Sequence, residues 1–230
     1  LNTTLRGARA SAGIAAGEVV CSVPMESCIS VSRARHPSLH AIADAILSRQ
    51  HESESLADGS GFGLVSLLVL HESSRQSPRS APMPTYAAFL ESHDVSNIPM
   101  LWPLASPRWA RASPLLRSLA LASRNAARRA FDEIVPAAIS RIPIELSEGL
   151  NCSRRTHAGA CSREFHKNVY SRRRFLRSYA RVVSRHFGPT TTLVPVIDML
   201  NYGDGGLHVR FDAPSQAWVL HATRDLAAGS

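Results

Sequence analysis

The chain has 230 residues, 44% of them apolar, and a formal net charge of +8. That length supports one sizeable core, or a core with a subsidiary lobe. Its longest apolar stretch, FGLVSLLVL at 62–70, is about half a bilayer span, which excludes a transmembrane helix and argues against a membrane partner.

In chain order, LNTTLRGARA at the start reads as interior sequence, with no initiator methionine or signal pattern, so a piece of a longer protein is expected. Residues 18–23, EVVCSV, predict a strand stopped by Pro24. Leu39, Ile42, Ala43, Ile46 and Leu47 predict a helix by their spacing. A Ser/Gly-rich loop at 53–61 precedes a second apolar helix at 62–72, and 74–84 should be loop. A long helix is predicted over 114–140, with Leu115, Leu116, Leu119, Phe131 and Ile134 on its apolar face and a kink or break at Pro136. Residues 147–163 are polar and read as loop. Phe175, Leu176, Tyr179, Val182 and Val183 mark the face of another helix, ending near Gly188–Pro189. The period then changes, and 193–197, 207–212 and 216–222 read as short strands, the last two joined by a turn at Ala213–Pro214–Ser215. The class is α+β: a β fold of short strands interrupted by a large helical insertion. The expected division is 1–35, 36–165 and 166–230.

Two segments echo one another. Residues 10–18 read ASAGIAAGE and residues 222–230 read ATRDLAAGS, each ending in Ile or Leu followed by Ala-Ala-Gly. Chance likeness in an Ala-rich chain is the competing explanation.

The positive charge invites a nucleic-acid reading. Of the 26 basic residues, however, only Lys167 is lysine, a bias that a GC-rich genome would write across many surfaces. The clusters Arg128–Arg129, Arg154–Arg155 and Arg172–Arg174 lack interleaved aromatics for base stacking, and read as solvated helix faces or loops. Cys21 and Cys28 lie in apolar sequence and should be small core residues. Cys152 and Cys161 bracket His157 at a spacing too loose for zinc, so no metal site is expected. The absence of a disulfide framework points to the cytoplasm or nucleus.

One carboxylate stands out. In LVPVIDMLNY, 193–202, Asp198 interrupts an apolar run, where burial would cost several kcal/mol without a partner. Asn201 follows at the exit.

Four segments, taken together, resemble SET-domain protein methyltransferases of the Rubisco large-subunit lysine methyltransferase-like subgroup. They are RGARASAGIAAGEVVCSVP (6–24), TYAAFLESHDVSNIPMLWP (85–103), YSRRRFLRSYARVVSRHF (170–187), which contains the Ser184–Arg185 pair, and LVPVIDMLNY (193–202). The resemblance covers almost the whole chain. It implies S-adenosyl-L-methionine as cofactor and methyl transfer to a side-chain nitrogen of a protein substrate, lysine or, as in some relatives, histidine, by a monomer.

Carried over position by position, Arg185 would pair with the cofactor's carboxylate. Asn201 and Tyr202 would meet the cofactor, Asp198 would tie the strand exit together, and Arg6, Gly7 and Ala8 would offer backbone groups. Each has a plainer reading: Asp198 as a cap, Asn201 as a turn residue, Arg185 as a helix-end cation, Gly7 as a hairpin glycine. Tyr202 departs from the family's histidine. The family's catalytic tyrosine is expected beyond Ser230, so no catalytic residue is nominated. A SET-like interaction module without activity is the alternative of a different class.

Overall fold

The structure, a computed structural model, describes residues 10–33, 40, 60–74, 82–139, 168–188, 191–200 and 206–229. The helix predicted over 39–47, the loop at 147–163 with Cys152, His157 and Cys161, and the site residues Arg6, Gly7, Ala8, Asn201 and Tyr202 lie outside these. The architecture is α+β, and the chain divides into two compact units.

The β unit draws on Leu1–Cys28, Arg185–Phe187 and Leu193–Ser230. Its sheet has three antiparallel strands in the order β1 (Val19–Pro24), β5 (Ala217–Ala222), β4 (Leu207–Asp212). The turn at Ala213–Ser215 fixes the hairpin register, with Leu207 opposite Ala222 and Asp212 opposite Ala217. β5 is central and almost continuously buried, as its sequence AWVLHA, apolar but for the half-buried His221, fits. One face packs on Val23, Cys28, Val194, Ile197 and Leu220, with Trp218 among them and Phe187 and Phe211 against its ring. Burying each such large side chain stabilises by about 1.5–3 kcal/mol. Cys28 is fully buried and Cys21 packs at the edge, as small core residues do.

The two echo segments pair with each other. Ile14 and Leu226, equivalent positions in the two copies, exchange both backbone hydrogen bonds at 3.0 and 2.9 Å. The Gly17 N–H donates to Ala222 O at 2.8 Å, and the equivalent Gly229 N–H donates to Ala10 O at 2.7 Å. Gly17 and Gly229 sit at φ +83° and +84°, a left-handed conformation that only glycine adopts without strain. The likeness is thus a local two-fold relation.

Two short strands, β2 (His186–Phe187) and β3 (Thr192–Leu193), form a second sheet. The strand predicted over 193–197 stops at Leu193, because Pro195 has no N–H to continue a ladder. The chain turns instead. Ile197 N donates to Pro195 O at 2.8 Å across Val196, whose φ of +71° and ψ of −53° describe a strained γ-turn. A 3₁₀ turn over Ile197–Met199 follows.

The helical unit contains α1 (Ser60–Ser74), α2 (Pro82–Ser92), α3 (Pro114–Ile139) and α4 (Arg172–Arg185), the last of whose residues, Arg185, is counted with the β unit. α1 is apolar on all sides and is its centre: Leu64, Val65, Leu67, Leu68, Val69 and Leu70 are buried. Gly63 lets α3 approach closely, since a Cβ there would lie 2.7 Å from Ile134 Cδ1 and 2.8 Å from Ala130 Cβ. α2 begins at Pro82, inside the segment expected as loop.

α3 corrects two expectations. Of the kink or break expected at Pro136, the break is overturned: α3 runs past Pro136 to Ile139, with Ile134, Val135 and Ala138 buried around the proline. Leu115, Leu116 and Leu119 are exposed; Ile134 is buried as expected, and with it Ala120, Arg124, Ala127 and Ala130. Helical spacing identified a stripe, but small residues form the one that packs.

Candidate functional site

The carboxylate in the apolar run has a partner. Asp198 is presented by the 3₁₀ turn behind the strained Val196, and its side chain is fully buried. The Arg185 guanidinium, at the end of α4, reaches it: Nη1 donates to Asp198 O at 3.3 Å and to Asp198 Oδ2 at 3.5 Å. Arg185 retains 22% side-chain exposure. One cation therefore offsets the burial of Asp198 and also caps a carbonyl at the turn.

The local sequence explains the geometry. Phe175, Tyr179 and Val182 are buried on the apolar face of α4, and Arg185 is its last residue. Leu193, Val194 and Ile197 are buried beside Asp198 in the chain, which anchors the turn. The ion pair is specific to this register: a one-residue shift would send a methionine or an isoleucine toward Arg185.

Of the seven sequence-predicted site residues, Arg185 and Asp198 are described, and they meet. The Nε and Nη2 donors of Arg185 have no hydrogen-bond partner among the described residues. They are therefore available to a second acceptor. Elsewhere in the same unit, Trp218 Nε1 and His221 Nδ1 are buried without a partner among the described residues, and the His208 and His221 rings lie 5.1 Å apart.

Comparison with solved structures bears on the fold. The chain is similar to the crystal structure of the SET domain of LSMT bound to lysine and AdoHcy, with a TM-score of 0.54 at 13% identity, over 100% of this chain and 49% of that one. The fold is SET-type. The chain spans about half the length of that structure. No protein-family model matches the sequence, and no curated protein matches it.

Sequence reasoning missed Arg124. It lies on the buried alanine face of α3, where Nε donates to Met100 O at 2.6 Å and Nη2 donates to Trp102 O. Burial, and secondarily the Arg128 charge, lower its pKa from the ordinary guanidinium value. A signal was present: Ala120, Arg124, Ala127 is apolar spacing interrupted by a cation.

Proposed function

We propose that the chain is part of a protein methyltransferase that uses S-adenosyl-L-methionine to methylate a lysine side-chain nitrogen of a protein substrate. The SET-type fold is the observation that carries this reading. The unused donors of Arg185 support it, because a guanidinium fork held in place by Asp198 fits the carboxylate of an amino-acid moiety better than a point charge would.

S-adenosylmethionine, when bound, supplies a methyl group on an electron-poor sulfonium. The chain's own part is binding and orientation. Arg185 would hold the carboxylate, and Asp198 would hold Arg185 in the one rotamer that reaches it. Asn201, Tyr202 and the backbone of Arg6, Gly7 and Ala8 complete the pocket on the strength of the family resemblance. The insertion over 36–165, between SET parts at 1–35 and 166–230, belongs to the same proposal. Such a site works by positioning, so the rate it can provide depends on how rigidly the first contacts are held.

Isothermal titration of the chain with S-adenosylmethionine and with S-adenosylhomocysteine tests the proposal. Both should bind, and Arg185→Ala should weaken binding by at least about tenfold, the loss expected for a charge-assisted hydrogen bond. Absence of binding by the folded wild-type chain to either compound would overturn it.

A further inference from the structure

Arginines from two of the sequence clusters, Arg128 and Arg172–Arg173, are gathered in the helical unit, while Arg154–Arg155 lies outside the described residues. A cleft of about 920 Å³ opens there, bounded by the 94–108 segment, α3 and the start of α4. Arg108, Arg124, Arg128, Arg172, Arg173 and Arg177 line it. Asp94 is the sole carboxylate in that lining, and Ser96 occupies both its oxygens, through its N–H at 2.9 Å and its hydroxyl at 2.7 Å.

The cations differ in how they are balanced. Arg172 is paired with Asp132 at 3.0 Å. Arg108 lies over the Trp102 ring and donates to Ser96 O at 3.2 Å. Arg124 is buried on carbonyl oxygens, with no carboxylate partner among the described residues. Arg128 and Arg173 have neither hydrogen bond nor ion pair among the described residues, and Arg177, which also has neither, acts on Asp94 through its charge. A buried guanidinium without an anion is an incomplete arrangement, and the cationic rim beside it draws anions in.

The rest of the lining selects among anions. Leu101, Pro103, Leu104 and Leu176 interleave with the guanidiniums, and Leu104 is 70% exposed. A nucleic-acid backbone has nothing apolar to offer them. Nor is there a free stacking platform. Trp102 is covered by Arg108, meets Trp109 edge-on at 5.3 Å and spends its N–H on Ser96 O, while Trp109 is buried. Carboxylates alternating with apolar side chains complement both halves of the surface.

We propose that this cleft is a docking site for an acidic peptide segment of a protein partner, one in which Asp or Glu alternates with apolar residues. Arg124 and Arg128 take its carboxylates, and the Leu101, Leu104 and Leu176 surface takes its apolar side chains. The cleft lies wholly within the helical unit, so the site does not depend on cofactor binding.

Fluorescence anisotropy with the full chain tests this, using a labelled peptide of alternating Glu and Leu and a labelled single-stranded oligonucleotide of equal charge. The peptide should bind more tightly at the same salt concentration. Arg128→Glu and Arg177→Glu should each weaken it by about tenfold or more, while Arg129→Glu, on the same helix but outside the lining, should change it less than about twofold. Replacing the peptide's Leu by Ser should also weaken it. Circular dichroism checks that each variant folds, and Arg173→Gln, which removes an exposed, unbonded cation, serves where a charge reversal does not fold. Tighter binding of the oligonucleotide, no binding of the peptide, or an equal loss in Arg129→Glu would each overturn the proposal.

Discussion

Arg185 in the β unit and Arg124 in the helical unit solve the same local problem differently. Each places a guanidinium on backbone carbonyls at a 3₁₀ turn, Asp198 O in one case and Met100 O with Trp102 O in the other. Arg185 also finds the buried Asp198 carboxylate, whereas Arg124 has no anion among the described residues. Capping satisfies hydrogen bonds in both. Only the first balances charge. A balanced pair fixes a geometry, and an unbalanced cation leaves a field that a ligand can answer.

That contrast can be broken by stability measurements. Asp198→Ala strands a partly buried cation, and should cost about 3 kcal/mol, the lower end for breaking a buried pair because Arg185 keeps some solvent. Arg124→Met removes two hydrogen bonds but also a desolvated charge, and should cost only about 1–2 kcal/mol. Urea denaturation of both variants checks the order. A larger loss in Arg124→Met would show that carbonyl capping alone outweighs charge balance.

A second variant sharpens the β-unit side. Val196 carries a left-handed φ that costs a β-branched residue about 1–3 kcal/mol, and its side chain is 61% exposed. Val196→Gly should therefore raise stability by about 1 kcal/mol after the entropy penalty of glycine, read as a higher melting temperature. If the strain serves to aim Asp198 at Arg185, cofactor affinity in the same variant should fall.

The smallest effect lies at the edge of the arginine cleft. Asp94 is held below its ordinary value of 3.8, first by the Ser96 hydroxyl and then by the Ser96 N–H. A depressed folded pKa contributes stability that is present above the unfolded value and is lost as pH falls through the folded one. Asp94→Asn should thus be less stable than wild type near neutrality, and the gap should close as pH is lowered below about 4. Parallel acid titrations followed by tryptophan fluorescence would reveal a constant gap if the assignment is wrong.

What was legible in the sequence was local. β4 and β5 fall where the apolar runs and the Ala213–Ser215 turn predicted them, because hairpin register is set by neighbours in the chain. Arg185 and Asp198 were legible as a cation at a helix end and a carboxylate in an apolar run, two features that ask for partners. The γ-turn at Val196 was hidden because Val and Ile favour strands, and only the missing N–H of Pro195 spoke against one. Leu115, Leu116 and Leu119 misled because periodicity defines a face without saying what covers it. The gathering of Arg108, Arg124, Arg128 and Arg177 was illegible for a different reason: it is made by packing between helices, and no short window contains it.

The paired echo segments set a schedule for synthesis. Ala16 N–H donates to Asp225 Oδ1 across 209 residues, and among the described residues β1 finds its sheet partner in β5. At about 5–20 residues per second, the first copy waits on the order of ten to forty seconds for the second to leave the ribosome. Over that interval Val19 and Val20 have no strand partner, so the nascent chain is exposed to chaperones and to misassociation at this segment.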